Sequence, residues 1–422
     1  MSGDVRLSQQ FHAVSLAEIE HELDAQWREI STNALAASGS AVSRNTALAL
    51  VVYAPDGEQA GMALGAIEDL TVQFPSRGIV LVPEPKQADS GIAAAVAVHV
   101  EGSGLAAGYG EQIVIEAQGN AAQHVPGLVL PLLVTGLPAF LWWLGVVPWR
   151  TPLIESLVDG SDRLIFDSCD AVDSDRMMVE AAELMARKHA RCALSDFNWK
   201  RLAPWRELTA QFFDAADMRP YLASVDRVTV EYAAGDEEGN TNAAQALEYL
   251  GWLGARLGWS LPAGHRRGYG PTRQYTLHDS NGRPVVAEIN ARFGVPTTNW
   301  YAQDQRRMRA DVGASSGRHA APPPGSAPPR AIGHGALMSV RIHAVANRRP
   351  GIFIIARDQD LEHATTLCQV DAGAPPSHTV HLPSLGETAL LTSQLETTGH
   401  DTIFEDALAM AARLVGSDGR RG

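Results

Sequence analysis

The stretch Ala47 to Val82, ALALVVYAPDGEQAGMALGAIEDLTVQFPSRGIVLV, decides the fold. Ala47 to Tyr53 is an apolar strand, Pro55-Asp56-Gly57 turns the chain, an Ala- and Gly-rich helical stretch runs to near Phe74, and Gly78 to Val82 is a second apolar strand. Neither strand alternates apolar with polar residues, so both faces must be covered, and strand–helix–strand with such strands is the mark of a parallel βαβ unit.

Working outward, Ser15 with Glu18 forms a capping box, and Leu16, Ile19, Leu23, Trp27 and Ile30 continue it at helical spacing. Downstream, Ile92 to Val100 and Gln112 to Ala117 read as a hairpin appended to the sheet. A buried helix is expected from Leu128 to Val134. The alternation then resumes with strand Ala139 to Leu144, a helix near Leu153 to Asp159, strand Arg163 to Asp167, helix Asp173 to His189 and strand Cys192 to Ser195. From Val225 the pattern changes to strands with one wet face, among them Val225 to Tyr232, Tyr275 to Leu277 and Pro284 to Ile289, with an Ala- and Leu-rich helix from Thr241 to Gly258. Later strands, His334 to Ala344 and Gly351 to Ile355, are placed to pair with these, and Thr402 to Leu414 is an amphipathic helix. The reading is an α/β fold: a mostly parallel sheet with flanking helices in residues 1–215, then a smaller mixed α+β domain in residues 225–422. A Pro-, Ala- and Ser-rich linker or loop interrupts the second domain at 314–330.

With 45% hydrophobic residues over 422 positions a large core is available, and a formal charge of -14 argues against a nucleic-acid binder. Cys169, Cys192 and Cys368 are widely spaced, so neither a zinc ribbon nor a disulfide framework is indicated. The longest apolar run, Val125 to Trp149, is broken by four prolines, and no signal peptide or membrane span is read; a cytoplasmic protein is expected. No dinucleotide fingerprint, P-loop, zinc-protease motif or nucleophile elbow occurs, so no catalytic residue, cofactor or metal is assigned. The most basic loop, GHRRGYGPTRQY at 264–275, reads as tolerant of anions or facing a partner.

The densest chemistry lies in SDFNWKRLAPWRELTAQ, Ser195 to Gln211, read with Trp142 and Trp143 upstream. Leu202, Trp205, Leu208 and Phe212 recur at helical spacing, while Trp199, Arg201 and Arg206 add wide aromatic and fork-shaped cationic groups. Binding in such sheets sits beyond the carboxyl ends of the strands. That rule collects Trp142, Trp143, Asp167, Ser168, Asp196 and Asn198 at one edge. Trp and Arg together have the composition of an interface hot spot. The candidate residues are therefore Trp142, Trp143, Arg163, Asp167, Ser168, Asn198, Trp199, Arg201, Trp205 and Arg206, which either contact a partner or brace the strand ends that do. A competing reading is a sugar-phosphate enzyme, isomerase or lactonase, in which Arg163, Arg201 and Arg206 hold phosphate and Asp167 or Asp196 acts as base; a third is a sugar-phosphate sensor.

The succession LPAFLWWLG, DRLIFDS, SDFNWKRLAPWREL resembles the glucose-6-phosphate dehydrogenase assembly proteins, the OpcA family. Arg44-Asn45, FPSRGIVL at Phe74 to Leu81 and the Glu111-Gln112 pair are similar to the same family. The resemblance implies a non-catalytic partner that binds glucose-6-phosphate dehydrogenase and promotes its active oligomer or its affinity for glucose 6-phosphate. Where the family usually has Cys before the Glu-Gln pair, this chain has Gly110, so insensitivity to redox state is expected.

Overall fold

A computed structural model describes residues 12–13, 15–38, 42, 44–87, 90–101, 108–234, 241–268, 270–295, 297–298, 332–370, 377–397 and 399–416. The 314–330 stretch lies outside them. The chain divides into two units, each assembled from separate segments: Met1–Asp167, Leu184–Phe197 and Gly386–His400 make the first, and Ser168–Glu183, Asn198–Leu385 and Asp401–Gly422 the second.

The first unit is built on an eight-stranded sheet of β1 (His12–Ala13), β2 (Leu48–Tyr53), β3 (Ser76–Glu84), β4 (Gly91–Glu101), β5 (Gly108–Gln118), β6 (Ala139–Trp143), β7 (Arg163–Phe166) and β8 (Ala193–Asp196). Their spatial order is β1-β4-β5-β3-β2-β6-β7-β8. The strands from β5 to β8 in that order run parallel, and β4 and β1 add an antiparallel edge. Helix α1 (Leu16–Ser38) opens with the expected reciprocal cap, Ser15 N donating to Glu18 at 2.5 Å and Glu18 N to Ser15 Oγ at 3.4 Å. Helix α2 (Gly57–Leu70) is capped by Asp56, which accepts from Gln59 N at 2.9 Å.

One sheet face supplies Leu50, Val52, Val80, Phe140, Trp142 and Ile165 to a core closed by Ala63, Leu64 and Ile67 of α2. Leu390, Leu391 and Leu395, from the distant helix α10 (Glu387–Leu395), complete that core. Each such leucine contributes about 2 kcal/mol when withdrawn from water. The expected Leu128–Val134 helix is instead α3 (Val125–Val129) followed by a 3-10 turn over Leu130–Leu132. Pro131 has no N–H to continue an α ladder. Helices α4 (Pro152–Asp159) and α5 (Ser174–Lys188) link the later parallel strands.

After Ser195 and Asp196 come two short helices, α6 (Phe197–Arg201) and α7 (Ala203–Gln211), with Leu202 between them. Pro204 sits in the first turn of α7, the place a helix tolerates it. After α8 (Arg219–Leu222) the second unit is a mixed sheet of β9 (Val225–Ala233), β10 (Arg266–Arg267), β11 (Thr272–His278), β12 (Pro284–Arg292) and, past the short pair β13 (Thr297–Thr298) and β14 (Ile332–Gly333), β15 (Leu337–Ala346), β16 (Arg349–Arg357), β17 (His363–Gln369) and β18 (Ser377–His381). Its order is β10-β11-β12-β9-β15-β16-β17-β18; β9 and β12 run parallel and their neighbours antiparallel. The β15–β9 ladder makes the expected pairing between strands on either side of 314–330. Burial alternates along β11 and β12, the sign of one wet face. Helix α9 (Ala244–Arg256) packs against α11 (Thr402–Val415). Among the described residues no helix is long and apolar enough to cross a membrane.

Candidate functional site

In the first unit, parallel pairing brings Trp142, Trp143, Asp167 and Asp196 to the carboxyl ends of β6, β7 and β8. Trp142 and Trp143 are buried, one on each face of β6. Trp142 lies in the core beside Phe197, ring centroids 6.1 Å apart. Trp143 donates Nε1 to Val146 O at 3.2 Å and stacks flat on Tyr53, centroids 3.7 Å apart and planes within 9°. Tyr53 and Trp143 end β2 and β6, between which strand order reverses direction, the crevice where doubly wound sheets hold a dinucleotide. Here two stacked rings end the two strands that flank it. The neighbouring α2 amino terminus carries Asp56 and Glu58. Arg163 is buried and spent on structure: its guanidinium donates to Ser195 Oγ, to Thr397 O at 3.1 Å and to Gly399 O. Asp196 is fully buried and its backbone carbonyl accepts from Gln394, whereas Asp167 is half-buried.

A second cluster of this unit gathers residues from all three upstream motifs. Glu111, only 1% exposed, accepts from Trp27 Nε1 at 2.8 Å, from Arg77 Nε at 2.6 Å and from Arg44 Nε. Arg77 also reaches Glu20 at 2.6 Å and Leu132 O at 2.9 Å, and Arg44 reaches Asp24 at 3.0 Å. The network ties α1 to the sheet through charge-assisted bonds. Burial alone would raise the Glu111 pKa; hydrogen bonds and charge from Arg44 and Arg77 outweigh it and hold the carboxyl below its ordinary value. Beside it, a Cβ on Gly110 would come within 3.0 Å of Thr71 Oγ1 and 3.3 Å of Thr71 Cγ2, so a larger residue here crowds α2's end.

In the second unit, Asn198 is the hub. Its Nδ2 donates to Ser168 Oγ at 2.8 Å, and its Oδ1 accepts from Gln245 Nε2 at 2.8 Å, Arg201 Nη1 at 3.0 Å and the Cys169 thiol at 3.3 Å. Asn242 Nδ2 extends the net to the carbonyls of Ser168 and Cys169, at 2.8 and 2.9 Å. Ser168 and Asn198 are each 1% exposed. Trp199 donates Nε1 to Asp401 at 2.8 Å, and the Arg206 guanidinium lies 3.3 Å over its ring while donating to Trp199 O. Burial pulls the Arg206 pKa down to about 10, against the opposing charges of Glu248 and Asp401, so the cation persists at neutral pH. Trp205 is buried with Arg357 5.7 Å over it.

Sequence reasoning found these side chains by their density; Trp142, Trp143, Arg163 and Asp167 belong to the first unit, and Ser168, Asn198, Trp199, Arg201, Trp205 and Arg206 to the second. It missed Trp27, Asn242, Gln245 and Asp401. Asp401 carries the one available signal, an Asp before a helical run: it also caps α11, accepting from Ile403 N and Phe404 N. The chemistry assembled is hydrogen bonding and cation–aromatic stacking, suited to holding shape. The three cysteines are free thiols, and burial pushes Cys192 up to about 12.

The profile of the glucose-6-phosphate dehydrogenase subunit N-terminal domain matches residues 67–183, and that of its C-terminal domain residues 192–408. The chain belongs to this family, the OpcA family. It is 28% identical over 359 residues to the OpcA protein of Nostoc punctiforme, covering 82% of this chain and 66% of that one. It is also 28% identical over 244 residues to the Synechocystis sp. OpcA, covering 56% and 48%. The chain thus spans from about half to about two-thirds of the length of these relatives. Among solved structures, a 3-ketoreductase of Actinomadura kijaniata with bound NADP and TDP-benzene aligns at TM-score 0.46 and 11% identity, over 88% of this chain and 97% of that one.

Proposed function

We propose that this chain is a non-catalytic partner of glucose-6-phosphate dehydrogenase that promotes the enzyme's active oligomer or its affinity for glucose 6-phosphate. The observation that carries the reading is the match of both halves of the chain to domains described as those of a glucose-6-phosphate dehydrogenase subunit. The relatives' names place those proteins in the OxPP cycle, the oxidative pentose phosphate route that the dehydrogenase serves. Geometry supports a supporting rather than a catalytic role. Trp143, Arg163, Asn198 and Trp199 are buried and hydrogen-bonded inside their own units and Trp142 is packed in the first unit's core, as braces of a surface. Tyr53 and Trp143 stack at the ends of the two strands that flank the crevice, and the helix end that follows is made acidic by Asp56 and Glu58, a poor setting for phosphate.

Purified chain titrated into its cognate dehydrogenase, with initial rates measured across glucose 6-phosphate concentrations and light scattering run in parallel, tests the proposal. A lower apparent KM or higher rate together with a co-migrating complex is expected. No complex and no kinetic effect at micromolar protein would overturn it. The same preparation should show no saturable NADP binding by calorimetry; a stoichiometric heat would mean that the aromatic stack opens.

A further inference from the structure

The basic loop at 264–275 turns inward in the second unit, where Arg266 and Arg273 both meet Asp175. A cation that stays accessible lies instead on the sheet of this unit. Helices α7, α8 and α9 pack against β16, β15 and β9 and cover one sheet face. Along β15 burial alternates: Val340, Ile342 and Ala344 are buried, whereas Arg341 and Val345 are exposed, Val345 to 42%. Strand pairing carries the outward rows across the neighbouring strands. Arg341 stands opposite Ile354 of β16, Ile354 opposite Leu367 of β17, and Ile352 opposite His343. Ile352, Ile354 and Leu367 are half-buried. Arg341 thus sits among large apolar side chains on the face turned away from the helices.

The carboxylates around it are already engaged. Glu288 accepts from Gln274 Nε2 at 3.1 Å and Arg227 Nη1 at 3.2 Å, Glu231 accepts from Ser339 Oγ at 2.7 Å, and Asp226 pairs with His343 at 2.6 Å. Arg341 makes no hydrogen bond or ion pair among the described residues. Water holds its guanidinium in the free chain, and the apolar side chains beside it would be withdrawn from water by whatever replaced that water. At the end of the same hairpin, Asn347 and Arg348 take φ +52° and +62° in a two-residue turn, a type that favours glycine at its second position. Arg348 is exposed there, a second cation held where glycine would relax the backbone.

We propose that this face of the second sheet, centred on Arg341 and rimmed by Arg348, docks a protein partner that presents a carboxylate framed by apolar side chains. The identity of that partner rests on the function proposed above, which makes it the dehydrogenase. Charge selects the occupant. A second copy of this chain laid face to face would offer Arg341 only carboxylates that already hold other donors. A nucleic acid needs a series of cations, and the formal charge of this chain is -14. A partner carboxylate gains the fork geometry of a guanidinium while Val345, Ile354 and Leu367 leave water with it, the arrangement of an interface hot spot.

The test titrates the full wild-type chain and single variants into the dehydrogenase by calorimetry, with thermal melts of each chain alone. No complex with the wild type overturns the partnership itself and this surface with it; a complex that the variants leave untouched overturns the surface alone. Arg341→Glu should weaken binding at least about tenfold, and Arg341→Ala by less, since reversal adds repulsion to the lost pair. Both should melt with the wild type, which separates a lost contact from a lost fold. Arg348→Gly relaxes the turn, so its melting temperature should equal or exceed that of the wild type while affinity falls about threefold. Arg256→Glu makes the same charge reversal on α9, on the helical side, where the side chain is 52% exposed, and should bind as the wild type does. The proposal is overturned if Arg341→Glu and Arg348→Gly both bind as tightly as the wild type, or if Arg256→Glu weakens the complex as much as Arg341→Glu.

Discussion

Glu111 shows how far one side chain can reach. Its partners Trp27, Arg44 and Arg77 lie 84, 67 and 34 residues away in sequence, so replacing it unties α1 and β3 together. Glu111→Gln keeps an acceptor for the indole but removes the charge that Arg44 and Arg77 share, and should cost about 3 kcal/mol of unfolding free energy in urea titrations at neutral pH. The sign with pH follows from the lowered carboxyl pKa. The stabilisation is complete above the unfolded value, about 4.3, and disappears as pH falls through the folded one. The wild-type advantage over the variant should therefore shrink in acid; a constant difference down to pH 3 would contradict the linkage. From sequence, the motif residues Arg44, Arg77 and Glu111 were visible as separate similarities, yet nothing local said that they meet. Trp199 and Arg206, seven positions apart, were legible as a cluster and do stack. Asp401, 202 positions from Trp199, was not.

At the scale of elements, the strands and long helices were readable because burial imposes their periods, as in β2, β3 and α11. Short elements were not. Pro131 cuts an expected helix, because loss of an N–H there outweighs apolar spacing. The nine residues of α10 have too little pattern to stand out from the loops around them, although Leu390, Leu391 and Leu395 mark a buried face. Helices α9 and α11 approach closely at Gly251 of α9, where a Cβ would press into Ala407 O and come within 3.0 Å of Ala411 N on α11. Backbone cannot step aside as a side chain can. Gly251→Ala should cost about 1 to 3 kcal/mol in chemical denaturation despite Ala's better helix propensity. A variant as stable as wild type would show that α9 and α11 separate freely.

For the whole molecule, the α/β class, the parallel first sheet and the mixed second sheet followed from which strands alternate and which do not. The return of residues 386–400 to the first unit had no trace in the sequence, because contact between distant segments leaves no periodicity. It has a measurable result. A chain ending at residue 385 keeps every strand of the first sheet but loses the three leucines of α10 from its core, and should show a first unit with lost near-ultraviolet dichroism and rapid proteolysis. Native-like protection of that fragment would contradict the assignment of α10 to the core. The same interleaving sets a timetable on the ribosome. At roughly 5 to 20 residues per second, residues 386–400 emerge more than ten seconds after Asp167, and throughout that interval the nascent sheet exposes an unfilled apolar groove along α2. This protein is therefore a natural client for chaperones that shield nascent chains, and its yield should depend on them more than that of a chain whose units are finished one after the other.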